Sequence, residues 1–191
     1  MELKNLKTEF LGKDFKYFEI LESTQDYIKI IDKEEKAKNG TLILADVQTS
    51  GIGTHQRKWY TGKGNNLAFT FVLYPNCNIK KIQNLTIVLA ESLVQTIKEL
   101  YGYELRIKEP NDIVFLERKL GGILTESITE GEIVKKIFIG IGFNVNQEKF
   151  PGNLEKIASS LNKMFEGIFV RENILVRFLE IFEKRYLELI A

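Results

Sequence analysis

The 191-residue sequence predicts an α+β domain: a mixed, largely antiparallel sheet packed against about three helices. Three observations lead there. Short apolar runs recur with turn residues between them, the runs of the second half are spaced as hairpins rather than parallel crossovers, and long segments carry apolar residues at helical spacing. A chain 44% hydrophobic and 28% charged is suited to burying one core, so a single domain over 1–191 is expected.

The elements follow in order. Phe15 to Leu21 alternates as a strand, and Ser23 or Thr24 can cap a helix reaching about Lys38 and ended by Asn39-Gly40. TLILADV, Thr41 to Val47, reads as a buried strand, and LAFTFVL, Leu67 to Leu73, as another. From Ile79 to about Leu100, a stripe of Ile82, Leu85, Val88, Leu89, Leu93 and Ile97 marks a helix closing before Gly102. Short strands are expected at Leu105–Ile107, Ile113–Leu116, Gly122–Thr129 and Ile133–Gly142, with turns at Pro110-Asn111-Asp112, Arg118-Lys119 and Glu130-Gly131. A last helix, Arg171 to Ile190, places Ile174, Leu175, Phe178, Phe182, Tyr186 and Leu189 on one face.

Bulk properties exclude several classes. A net charge of +1 gives no global attraction to nucleic acid or anionic membrane. The single cysteine, Cys77, leaves no internal disulfide and fits a reducing compartment. The mixed-charge N-terminus is no secretory signal and no apolar run is long enough for a membrane span, so a cytoplasmic protein is expected.

Charge is nevertheless uneven. Between Asp46 and Glu91 there is no acidic residue, but there are Arg57, Lys58, Lys63, Lys80 and Lys81. Three of these cations fall in GIGTHQRKWYTGKGN, residues 51 to 65, which completes neither the dinucleotide nor the P-loop glycine pattern. Its glycines allow close backbone approach and its amides can cradle an anion; a solvated surface loop is the alternative. Trp59, the only tryptophan, can cover a ligand or pack beneath the loop. A second cluster, KEPNDIVFLERKLGGILTE, brings Asn111 and Asp112 in a tight turn and Lys119 at a hairpin bend directly before a strand with Gly121-Gly122; a lysine held beside glycines in a sheet can donate to a carboxylate or phosphate, and an exposed one merely solubilises. A third, Gly140-Ile141-Gly142-Phe143-Asn144, again places glycines in a strand before an asparagine.

In this order the clusters resemble the biotin protein ligases, which activate biotin with ATP and attach it to a carrier lysine. The resemblance runs from about Phe15 to the last helix. It rests on Ser23-Thr24, Gln48 with Gly51-x-Gly53 and Arg57-Lys58-Trp59, Lys108-x-Pro110-Asn111-Asp112-Ile113, Lys119-Leu120-x-Gly122-Ile123-Leu124 with Glu126, Gly140-x-Gly142-x-Asn144-Val145 and Ala158-Ser159-Ser160-Leu161. It implies a sheet related to class II aminoacyl-tRNA synthetases and lipoyl ligases. It further implies a biotin site at Ser23, Thr24, Gln25, Gln48, Gly51, Ile52, Gly53, Thr54, Lys119, Gly122 and Gly140, with Lys119 and Arg57 neutralising charge during the reaction. Arg57, Lys58, Trp59, Asn111, Asp112 and Asn144 are implied on the nucleotide side, with ATP and Mg²⁺ as co-substrate and metal and no assigned metal ligand. The implied partner is the biotin carboxyl carrier protein of a carboxylase. No nucleic acid or membrane partner is expected, and an exposed sheet edge leaves a homodimer open.

The sequence departs from the family pattern at two places. The family loop commonly reads G-R-G-R-x-G-R-x-W, and here Ile52 and Thr54 stand where it has arginines. Threonine cannot supply arginine's charge or fork of donors, so Arg57, with His55, is expected to compensate in part and the adenylate to be held less tightly. Glu109 replaces the usual tryptophan before Pro110. The short stretches flanking the matched region lead to the expectation of neither an N-terminal winged helix nor a complete C-terminal SH3-like barrel. A lipoate or octanoate ligase or transferase of the same superfamily is the first alternative, although the R-R-x-S-G-G-G loop is missing; a non-catalytic biotin-binding regulator is the second.

Overall fold

The computed structural model describes residues 1–62 and 64–191, apart from the side chain of Gln56. Lys63, counted above among the loop cations, lies outside the described residues. Eight strands form one sheet: β1 (Phe15–Leu21), β2 (Leu42–Gln48), β3 (Leu67–Leu73), β4 (Cys77–Asn78), β5 (Arg106–Lys108), β6 (Asp112–Phe115), β7 (Arg118–Glu130) and β8 (Ile133–Phe143). Their order is β1-β2-β3-β8-β7-β6-β5, with β4 beside β8. β1 and β2 are parallel and the other pairs antiparallel, the mixed, largely antiparallel sheet expected from hairpin spacing.

Three longer helices, α1 (Thr24–Lys33), α2 (Leu85–Tyr101) and α5 (Arg171–Ile190), cover the sheet, with two short ones, α3 (Leu154–Ile157) and α4 (Leu161–Phe165), between β8 and α5. α1 ends five residues before the expected Lys38. Glu35 takes φ 57°, its N–H donates to Asp32 O at 3.0 Å, and the Lys36 N–H donates to Ile31 O at 2.9 Å. This is a Schellman closure without the usual glycine, which is why the sequence concealed it. A 3₁₀ turn, Ile79–Ile82, precedes α2, and Gly102 closes α2 at φ 77° as expected. The predicted Arg118-Lys119 turn is corrected: both residues belong to β7. The hairpin turns instead at Leu116-Glu117, whose φ values of 46° and 62° are both positive, as a two-residue type I′ loop requires.

β3 is buried along its whole length because both its faces are covered. Phe69 and Phe71 point toward α5, with ring centroids 5.8 Å from Phe178 and 5.5 Å from Phe182. Removing such a ring costs about 3–5 kcal/mol, so this side carries much of the core's stability. On the opposite face, Val72 joins Ile43 and Phe138 beneath Ile28 and Ile31 of α1. Alternation along β3 and β8 therefore places Thr70, Gly140 and Gly142 on the α1 face, beyond the N-terminus of that helix. There a loop, not a helix, covers the sheet.

Candidate active site

The floor of the site is nearly bare backbone. Gly122 pairs with Gly142, and Gly140 pairs with Thr70 on one side and Leu124 on the other. Each glycine makes room for something identifiable. A Cβ on Gly140 would stand 2.7 Å from Gln25 Oε1, one on Gly122 3.2 Å from Lys119 Nζ, and one on Gly142 would overlap the Trp59 indole. Gly121 points the other way, where a Cβ would meet the Phe143 ring at 2.7 Å. The adjacent glycines of β7 thus serve different faces of the sheet.

One wall comes from the start of α1 and the end of β2. Ser23 Oγ accepts from the Asp26 N–H at 3.2 Å and caps α1, which fixes the position of the next two residues. Gln48 Oε1 accepts from Thr24 N–H at 2.8 Å and Thr24 Oγ1 at 3.0 Å, and Thr24 Oγ1 also meets Thr70 Oγ1 at 2.8 Å. The carbonyl end of Gln48 is therefore committed to Thr24, and its NH₂ is the end left to donate. Gln25 has the opposite sense: its Nε2 donates to Glu126 Oε2 at 2.7 Å, and its buried Oε1 has no partner among the described residues.

The lid is an ordered miniature hairpin, more regular than the loop anticipated from its glycines. Ile52 bridges Lys58, Gly53 N–H donates to Arg57 O at 2.7 Å, and Trp59 N–H donates to Gly51 O at 2.8 Å. A 3₁₀ turn over Thr54–Gln56 forms its tip, with His55 at φ 56°. Gly51 is required by this crossing, since a Cβ would stand 2.6 Å from Trp59 O. The lid carries the Trp59 ring down onto the glycine floor, where its buried Nε1 has no hydrogen-bond partner among the described residues. With the ring there the inner cavity is only about 40 Å³, against about 410 Å³ for the outer one. Ligand pockets are usually several hundred Å³, so the indole occupies space that a bound ring system needs.

Lys119 stands between the two cavities and lines both. Its backbone is held on both sides, pairing with Val114 of β6 on one and, on the other, bridging Ala158 and accepting from Ser159 N–H at 2.9 Å. Its Nζ lies 2.6 Å from Asp112 and 5.8 Å from the Trp59 ring centroid. Arg57 and Lys58 line the outer cavity and are exposed, so they can meet a phosphate chain. The described residues contain no group of three or more His, Cys, Asp or Glu able to hold a metal. Asp112 and Glu117 are the carboxylates among the residues lining the outer cavity, too few for a protein-built metal cage but suited to a Mg²⁺ held mainly by nucleotide phosphates and water.

Residues 17–144 match the model of the biotin/lipoate A/B protein ligase family. The chain belongs to that family. The bifunctional ligase/repressor BirA of Bacillus subtilis is 39% identical over 183 residues, covering 95% of this chain and 56% of the relative. The biotin–[acetyl-CoA-carboxylase] ligase of Paracoccus denitrificans is 35% identical over 115 residues, covering 59% of this chain and 48% of the relative. A solved structure of the Aquifex aeolicus biotin protein ligase in complex with biotin and ATP superposes with a TM-score of 0.79 at 30% identity, covering 92% of this chain and 71% of that one. The chain thus spans about half the length of these two curated relatives.

Against this ligase family, most expected residues converge. Thr24, Gln25, Gln48, Ile52, Gly53, Thr54, Lys119, Gly122 and Gly140 line the inner cavity. Ser23 and Gly51 do not; they act one step back, through the helix cap and the base of the lid. Of the residues implied on the nucleotide side, Arg57, Lys58, Asp112 and Asn144 line the outer cavity and Trp59 lines both. Asn111 differs: it lines the inner cavity, where its Nδ2 donates to Ile123 O at 2.9 Å. The Asn144 side chain is buried and already engaged, donating to Ser159 O at 3.0 Å and accepting from Asn66 Nδ2 at 3.4 Å. Sequence reasoning left out Gly142 and Thr70 as site residues. The signals were a second glycine two positions after Gly140 and a lone threonine in an otherwise apolar strand.

Proposed function

We propose that the chain activates biotin with ATP to biotinyl-5′-AMP and transfers the biotinyl group to a lysine of a carboxylase's biotin carboxyl carrier protein. The observation that carries this is the polarity of the inner cavity. It sets one buried acceptor, Gln25 Oε1, and one donor, the Gln48 NH₂, over a glycine floor that ends at Lys119. A cyclic urea offers the complementary N–H and C=O groups; a dithiolane ring or an alkyl chain offers neither. The biotin and ATP in the related Aquifex structure and the carboxylase in the Paracoccus relative's name support the same substrates.

In the first step a biotin carboxylate oxygen bonds to the α-phosphorus of ATP and the bond to pyrophosphate breaks. In the second the carrier amine bonds to the acyl carbon and AMP leaves. Both steps load negative charge onto phosphate oxygens beside the carboxyl carbon. Lys119, at the junction of the cavities, is placed to neutralise that charge, with Arg57 and Lys58 toward the phosphate chain. No side-chain nucleophile is needed, because holding two bound reactants in line supplies much of the acceleration. Mg²⁺, when bound with ATP, would add charge neutralisation on the phosphates, with Asp112 and Glu117 as the outer-cavity carboxylates that could hold it.

The test is exchange of labelled pyrophosphate into ATP with biotin, lipoate, octanoate or no acid. Biotin alone is expected to support exchange. Exchange with lipoate in place of biotin would refute the substrate, and tight biotin binding without exchange would refute the ligase.

A further inference from the structure

We propose that Glu126 and Lys29, both outside the inner cavity, are positioning residues that fix the direction of the Gln25 amide and so make the site demand a ring N–H donor. The inference rests on the biotin-activating reading above. Gln25 is 4% exposed and sits one helical turn before Lys29, so both side chains leave the same face of α1 and reach β7. Glu126 meets them there, 2.7 Å from Gln25 Nε2 and 2.6 Å from Lys29 Nζ through the same Oε2.

An amide can turn over in its socket, and its direction decides whether a pocket sees a donor or an acceptor. Here the far side of the socket holds acceptors: the Glu126 carboxylate and, at 3.4 Å, Phe138 O. Turning Gln25 over would set its oxygen against both and leave two acceptors facing a third. Glu126 remains an acceptor because it stays charged. Burial raises its pKa, but hydrogen bonds from Lys29 and Gln25 outweigh that and hold it below the ordinary carboxylate value of 4.5. Oε1 is thereby left buried without a partner, above Gly140, where a Cβ would stand 2.7 Å from it. A buried acceptor in that state is unfavourable until a ligand N–H arrives, so the ion pair converts a neutral amide into a selective contact.

Purified full-length chain carrying Glu126→Gln, Lys29→Met, Gln25→Ala or Gln25→Ala with Glu126→Gln is compared with wild type by biotin-dependent pyrophosphate exchange and calorimetric biotin binding. In E126Q the new amide tolerates either direction of Gln25. The biotin KM and Kd are expected to rise about tenfold, with the ATP KM, the melting temperature and kcat at saturating biotin within about twofold or a few degrees of wild type. Lys29→Met is expected to shift KM in the same direction and carries the test if E126Q fails to fold. In the Gln25→Ala background, E126Q should cause no further loss. An unchanged biotin KM in E126Q, equal losses with and without Gln25, or a drop in kcat and melting temperature at constant KM would each overturn the assignment. Failure of wild type to exchange with biotin would overturn the functional reading itself, before any variant is compared.

Discussion

Lys119 Nζ stands 2.6 Å from the Asp112 carboxylate, so the ammonium at the junction of the two cavities is held by an anion from the neighbouring strand. A substrate carboxylate or phosphate must share or displace that partner. Lys119→Ala is expected to lower pyrophosphate exchange about 10²–10³-fold, the usual scale for losing one electrostatic contact to a reacting group. Both side chains are partly exposed, so the melting temperature should move by only a few degrees. Near-normal turnover would refute its assigned role.

Trp59 is the single tryptophan, and its indole lies on Gly142 with Nε1 buried and unpartnered. Ligand entry must move the ring or give its N–H a new environment. Biotin or biotin with ATP should therefore change the intensity or wavelength of intrinsic fluorescence, and Trp59→Phe should remove the signal while circular dichroism is retained. A spectrum indifferent to saturating ligand would contradict this placement.

The glycines separate into demanding and permissive positions. Gly142→Ala drives a methyl into the indole, while at Gly53 the nearest atom to an added Cβ is Arg57 O at 3.5 Å, ordinary contact. Gly142→Ala is expected to raise the biotin KM at least about tenfold and Gly53→Ala to change it less than about threefold. Steady-state exchange kinetics on the two variants check the contrast.

Thr54 lies at the tip of the lid and lines both cavities. A guanidinium there would add a charged fork beside the phosphate of the acyl adenylate. Thr54→Arg should slow adenylate dissociation, measured by single-turnover chase with unlabelled biotin. Equal release rates and an unchanged biotin KM would show that threonine is not a weakness at this position.

Acid stability has a definite sign. Burial raises the Asp46 pKa, but hydrogen bonds from Tyr17 at 2.6 Å and Arg171 at 2.8 Å hold it below the ordinary 3.8. A depressed folded pKa contributes stability that is present above the unfolded value and lost as pH falls through the folded one. Arg171→Met should lower the melting temperature at pH 7, and its gap from wild type should shrink as pH falls below about 4. Thermal melts from pH 7 to pH 3 check both statements.

Strands β1 and β3 and helix α5 were legible to the residue, β3 because a continuous apolar run is buried throughout and α5 because its helical stripe reports its buried face, whereas β1 keeps its expected bounds without alternating burial. The Leu116-Glu117 turn was not legible, since neither residue advertises a positive φ. Ser23 could be read locally as a helix cap and Lys119 as a lysine beside strand glycines, whereas Gln48 was indicated only by the family resemblance. Contacts created by sheet register could not be read locally. Nothing local to Gly142 announces Trp59, and nothing local to Gln25 announces Glu126, 101 residues away.

The lid is anchored at its base on both sides. Gln48 N–H donates to Thr61 Oγ1 at 2.7 Å, Gly62 N–H donates to Gln147 Oε1 at 3.2 Å, and Asn66 O accepts from Arg171 at 2.8 Å. Opening can therefore proceed as local unfolding of the short hairpin from Gly51 to Trp59 alone, with the core undisturbed. Amide exchange should divide sharply at these anchors, fast within the hairpin and slow in β2 and β3, and the lifetime of the closed state would then set how long a reactive mixed anhydride is kept from hydrolysis.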